Sequence, residues 1–137
     1  MKKILFFTFA LVASVLAFTS CEGNNADNPL VGTWEYDDGN SILTVTFTAN
    51  YKFDFRDYVY HDKSKDCNYF EGTYSIQGDI ATAHITSHGW YYDGEKNPVL
   101  NWEPEDEQMK FKVEGNTLTL TRYYGEDYAY TSTYTQQ

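Results

Sequence analysis

From residue 30 to the C-terminus, apolar residues recur at every second position, and this period constrains the fold more than any other feature of the chain. Leu43, Val45 and Phe47 interleave with Thr44, Thr46 and Thr48, and Tyr51, Phe53 and Phe55 with Lys52, Asp54 and Arg56. Phe70, Tyr74 and Ile76 share a parity with Gly72. Met109, Phe111 and Val113 oppose Lys110, Lys112 and Glu114, and Leu118 and Leu120 oppose Thr117, Thr119 and Thr121. The last run sets Tyr128, Tyr130, Ser132 and Tyr134 against Ala129, Thr131, Thr133 and Thr135. Successive side chains of a strand point to opposite faces, so each run offers one face to a core and one to water. No stretch of helical length shows the i, i+3, i+4 repeat that an amphipathic helix needs.

Turn-forming residues separate the runs: Asp38-Gly39-Asn40, Ala49-Asn50, Gln77-Gly78-Asp79, Glu114-Gly115-Asn116 and Gly125-Glu126-Asp127. The pattern predicts eight strands, over residues 31–36, 42–48, 51–59, 69–77, 80–86, 108–113, 117–124 and 128–135. Eight antiparallel strands in consecutive hairpins can close into a small up-and-down barrel without free edges. An open sandwich is the competing all-β arrangement, but so many short consecutive hairpins favour the barrel. Two connections are long, over residues 60–68 and 87–107.

A barrel of eight strands is just wide enough to be filled by side chains or to hold one small ligand. Aromatic residues make up 18% of this chain. Those on the inward parity, Trp34, Phe47, Phe53, Phe55, Phe70, Tyr74, Phe111, Tyr128, Tyr130 and Tyr134, are expected to compete for that space. A shallow or open-ended pocket follows rather than a deep one. Inward hydroxyls such as those of Tyr74 and Tyr130 need partners, so a polar layer is expected toward one end. Both are candidate ligand contacts.

The N-terminus has a different character. Lys2 and Lys3 precede an apolar run over residues 4–18, then small polar residues lead to Cys21. This is the pattern of a secretory signal peptide over residues 1–20. Residues 18–21, Phe-Thr-Ser-Cys, resemble a bacterial lipobox, in which the cysteine is acylated and becomes the new N-terminus. The resemblance implies a lipoprotein anchored by diacylglycerol and palmitate-type chains on Cys21, with the outer membrane favoured by Glu22 and the membrane face left open. An ordinary secreted protein cut near Ala17 is the alternative. Residues 21–29 read as a lipidated tether and 30–137 as one domain. With Cys21 acylated, Cys67 is a free thiol in a polar stretch, 61–68, that reads as a surface loop.

Once Lys2 and Lys3 leave with the signal, eight basic residues face twenty acidic ones, a formal charge of −12. Nucleic acid is therefore excluded as a partner, since binding it requires clustered Lys and Arg. Membrane attachment would rest on acyl chains, not on charge.

Chemistry-bearing patterns are sparse. No Gly-x-Ser-x-Gly elbow, glycine-rich phosphate loop or Cys-x-x-Cys pair occurs. His84 and His88 are four apart, which along a strand places them about 13 Å from one another, too far for a shared metal. The acidic run 103–107 lacks the spacing of a calcium loop. The expectation is a non-enzymatic domain without cofactor or metal. The connection 87–107 holds two of the three tryptophans, and Trp90, Tyr91, Tyr92 and Trp102 are the candidate contacts for a sugar ring or for a protein partner.

Residues 30–34, Leu-Val-Gly-Thr-Trp, open the first strand, residues 72–76, Gly-Thr-Tyr-Ser-Ile, lie midway, and residues 115–121, Gly-Asn-Thr-Leu-Thr-Leu-Thr, lie near the end. Together they resemble the lipocalin-like, calycin-type lipoprotein domains of Bacteroidetes. The resemblance implies a small barrel with structural roles for Gly32 and Trp34, with Arg122 covering Trp34 by a cation–π contact. It also implies an apolar-ligand cavity; with the loop aromatics, the expected function is binding of a small apolar or glycan ligand at the barrel mouth. A protein-interaction or inhibitor module of an outer-membrane assembly is the alternative function.

Overall fold

A computed structural model describes residues 28–63, 66–124 and 127–137. The expected signal peptide, Cys21 and nearly all of the expected tether fall outside the described residues. Nine strands are formed: β1 (Gly32–Asp37), β2 (Ile42–Phe47), β3 (Lys52–Tyr58), β4 (Cys67–Gln77), β5 (Ile80–Tyr92), β6 (Glu95–Pro98), β7 (Glu105–Glu114), β8 (Thr117–Tyr124) and β9 (Tyr128–Gln136). The described residues contain no helix.

Eight strands close an antiparallel up-and-down barrel in the order β1-β2-β3-β4-β5-β7-β8-β9. The pairing of β9 with β1, Trp34 opposite Gln136, completes the ring. The ninth strand, β6, pairs with the outer half of β5 alone, beyond the point where β7 takes over the lower half. All eight expected strands are present. The difference lies in the connection 87–107, whose first half is not a loop: β5 continues to Tyr92 and turns back into β6.

Local chemistry explains that hairpin. Asp93 and Gly94 both have positive φ, 49° and 77°, and form a two-residue loop of the twist that suits antiparallel strands. Gly89 lets the strands approach, since a Cβ there would lie 2.1 Å from the carbonyl oxygen of Asn97. A register shift at Glu71/Gly72 leaves Thr86 of β5 unpaired, and it offsets the alternation. Ile85 faces the core below the bulge, and His88 stacks on Phe70 above it.

Inside the barrel Trp34, Val45, Phe47, Phe53, Tyr74, Ala83, Met109, Phe111, Leu118, Leu120 and Tyr134 form one core. Its closed end is sealed by the segment before β1. Leu30 is completely buried, and its carbonyl accepts a 2.7 Å hydrogen bond from the Trp34 indole. Asn28 Nδ2 donates to the Tyr74 hydroxyl at 2.8 Å, and that hydroxyl donates to the carbonyl of Thr48. The β1–β2 and β5–β6 turns and the described residues of the β3–β4 and β8–β9 connections lie at the opposite end, the mouth.

A second, smaller core lies on the outer face of the sheet, where Ile42, Tyr58 and Cys67 are buried against Tyr91. Cys67 is therefore not a surface-loop thiol. It begins β4 opposite Tyr91, because the extended β5 gives residues 67 and 68 strand partners that the shorter expected strand lacked.

Candidate functional site

Among the described residues, one hollow inside the barrel and one beside its mouth compete as sites, apart from a depression on the outer face of β2–β4 that holds no exposed aromatic ring. The first is inside the barrel, lined by apolar side chains including Phe53, Phe55, Phe70, Ala83, Met109 and Leu120, with Glu107 and Arg122 also on its wall. Its volume is about 80 Å³. An engineered apolar cavity of about 150 Å³ takes benzene, so this one is too small for a lipid chain or a haem. Aromatic side chains account for the small size: His88 stacks on Phe70 at 5.1 Å, and Trp102 packs edge-on against His88 at 4.0 Å.

The second hollow is a cleft outside the barrel, between residues 58–63 and 66–68 on one side and the β5–β6 hairpin on the other. Its polar half, about 690 Å³, is lined by Arg56, Tyr58, Lys63, Asp66, Cys67, Tyr91, Tyr92, Asp93 and Gly94. Its aromatic half, about 320 Å³, is lined by Val59, Tyr60, Asn68 and Trp90, and shares Asp66, Cys67, Tyr91 and Tyr92 with the first.

The cleft walls are held from several directions. The backbone N–H of Asp93 donates to Asp66 Oδ1 at 3.1 Å, joining the hairpin tip to the end of the β3–β4 connection. His61 pairs with the Asp37 carboxylate at 2.8 Å, tying that connection to the β1–β2 turn. The backbone N–H of Gly39 and the His61 contact hold Asp37 below the usual carboxylate range. Lys63 pairs with Glu35. Arg56 lies 4.9 Å above the Tyr91 ring and pairs with Asp54 at 3.0 Å, which holds its proton more firmly still. On the neighbouring outer surface Lys96 pairs with Glu71 and lies over the ring of Tyr69. At the cleft floor, burial pushes the Cys67 thiol up, so little thiolate is present at neutral pH.

The expected contact residues divide among several places. Trp90, 49% exposed, and Tyr92, 60% exposed, line the cleft, while Tyr91 is half-buried between them. Trp102 does not join them and packs toward the barrel core. Tyr74 is buried at the closed end, remote from the mouth. Tyr130 is exposed at the mouth near the β8–β9 turn, sharing a hydrogen bond with the Tyr36 hydroxyl that pushes the latter's pKa up. Gly32, at φ 141°, opens β1 against the side chain of Gln136.

The expected Arg122–Trp34 contact is not formed. Arg122 lies 5.4 Å over Phe55 and pairs with Glu107 at 3.5 Å. Register explains the difference. Arg122 pairs with Met109 and Tyr130 on the mouth side of β8, whereas Trp34 faces Gln136 near the closed end. His84 and His88 lie on opposite faces because of the bulge. His84 pairs outside with Asp106, and His88 stacks inside.

Arg56, Tyr58, Tyr60, Asp66 and Asn68 belong to the cleft but escaped the sequence reading. Their partners lie about thirty residues away, and the one local signal that points to the arrangement is the Asp93-Gly94 turn, which marks a hairpin. Comparison with protein-family models, with curated proteins and with solved structures finds no match for this chain.

Proposed function

We propose that this protein is a lipocalin-like lipoprotein of the cell envelope, anchored in the outer membrane through lipid on Cys21. In this reading it acts without catalysis as a binding domain whose ligand is met at the mouth end. The contrast in size carries the location: the interior offers about 80 Å³, the cleft beside the mouth about 690 Å³ in its larger half. A ligand would therefore be held against Trp90 and Tyr92 on the rim, not swallowed by the barrel. The small apolar ligand expected of a lipocalin-like barrel fits poorly with that volume, and a polar ligand with flat apolar faces fits well.

A protein partner is the second reading, favoured by the exposed Tyr60, Trp90 and Tyr92 on a strongly acidic chain. Ala83→Leu, which fills the interior, and Trp90→Ala, which strips the rim, separate the two hollows. Titrations followed by tryptophan fluorescence should be insensitive to the first change and at least tenfold weaker with the second. Binding abolished by Ala83→Leu and intact in Trp90→Ala would move the site inside.

A further inference from the structure

We infer that the rim cleft takes a short neutral oligosaccharide, an inference that rests on the cleft being the binding site. Isolated exposed aromatics need no explanation, but contiguous ones mark interaction surfaces. Tyr60, Trp90 and Tyr92 are 72%, 49% and 60% exposed, and all three line the same aromatic half of the cleft. Trp90 and Tyr92 stand on a paired strand, so their backbone positions are set before any ligand arrives. The C–H face of a pyranose ring carries partial positive charge and packs on the negative face of an aromatic ring.

The other requirement of a sugar is hydrogen bonding at its edge. Asn68 lies among the rings, and Asp66 and Asp93 line the polar half. A carboxylate accepts from vicinal hydroxyls, and an amide both donates and accepts. This interleaving of rings and polar side chains is the composition of a site that orients a polar ligand. It argues against a protein partner, because the centre of a protein interface is depleted of charge. Charge also selects among sugars. Among the described residues, the cations that line the cleft, Arg56 and Lys63, are paired with Asp54 and Glu35. Asp66 and Asp93 would repel a uronic or sialic acid, which leaves neutral sugars.

The two halves share Asp66, Cys67, Tyr91 and Tyr92 at the end of the β4–β5 ribbon, and a tetrasaccharide is long enough to probe contacts beyond a single sugar ring. Titration of the full acylated protein with cellotetraose, mannotetraose and chitotetraose, followed by tryptophan fluorescence and calorimetry, tests the inference. At least one should bind saturably, about tenfold more weakly in Trp90→Ala and in Asp66→Asn, and unchanged in Tyr123→Ala, an exposed site on β8. Circular dichroism verifies that each variant keeps its barrel. Saturable binding of sodium decanoate or polylysine that is lost in Trp90→Ala, with no response to any sugar, overturns the sugar while the cleft stands. Responses indifferent to Trp90→Ala overturn both.

Discussion

At the scale of single residues, the acidic groups near the mouth pull in opposite directions. Backbone N–H groups of Ser41 and Asn40 hold Asp38 below the usual carboxylate range, and Gly39 and His61 do the same for Asp37. A depressed carboxylate stabilises the fold above the unfolded pKa, and that contribution is lost as pH falls through the lower folded value. Asp57 is the reverse case. Burial raises its pKa, and its Oδ1 has no hydrogen-bond partner among the described residues. Its ionised form therefore weakens the fold at neutral pH, and the penalty fades as pH drops below the raised value. Asp57→Asn should raise the melting temperature by a few degrees at pH 7 and give no gain near pH 3. Equal melting curves at pH 7 would show that the carboxylate is solvated after all. Cys67, buried with its thiol pKa raised, should react with Ellman's reagent only after denaturant is added.

Two glycines differ in consequence at the scale of elements. A Cβ at Gly72 would lie 1.9 Å from the carbonyl oxygen of His84, within the bulged pairing that closes the barrel. Gly72→Ala should cost on the order of 3 kcal/mol of global stability by denaturant titration. Gly89→Ala strikes the carbonyl of Asn97 instead, in a hairpin outside the ring. Hydrogen exchange should then show lost protection in residues 89–98, with the barrel strands unchanged and cleft binding lost. Residues 89–98 also show where sequence reading stopped. The alternation that marks the other strands is broken by the unpaired Thr86, and Trp90, Tyr91 and Tyr92 are adjacent large residues that fit no single face. Only the Asp93-Gly94 pair signalled the return of the chain.

For the whole molecule, the two ends of the barrel have different surfaces. Leu30, Asn28 and Trp34 fasten the entering chain at the closed end, while Tyr60, Trp90, Tyr92, Tyr128 and Tyr130 are exposed at the mouth. Leu30→Ala should cost about 2–5 kcal/mol, because the methyl groups it removes are fully buried beneath Trp34. If lipid on Cys21 anchors the protein, only six residues lie between it and Asn28, a reach of about 25 Å when fully extended. The cleft would then face away from the anchoring bilayer, and the acidic surface would keep the domain from lying on anionic lipids. Energy transfer from a label at Asn50, near the closed end, to a dye in the vesicle surface should exceed that from a label at Tyr92. Equal transfer would show a domain lying flat.

Period two and the turn residues settled the strands from sequence alone, because both are local properties: a strand's faces follow from alternation, and a turn from the residues that tolerate it. The expected crowding of the barrel by aromatic side chains was legible for the same reason. Tertiary structure decided the rest. Closure set the level of each strand against its neighbours, and it was that stagger, absent from the alternation, that carried Arg122 away from Trp34 and over Phe55. A second core on the outer face buried Cys67, which its polar neighbours had assigned to a surface loop, together with Tyr58. The cleft joins Tyr58, Tyr60 and Asp66 to Trp90, Tyr92 and Asp93 across a sequence gap of about thirty residues, and no period within either segment encodes where the other will lie.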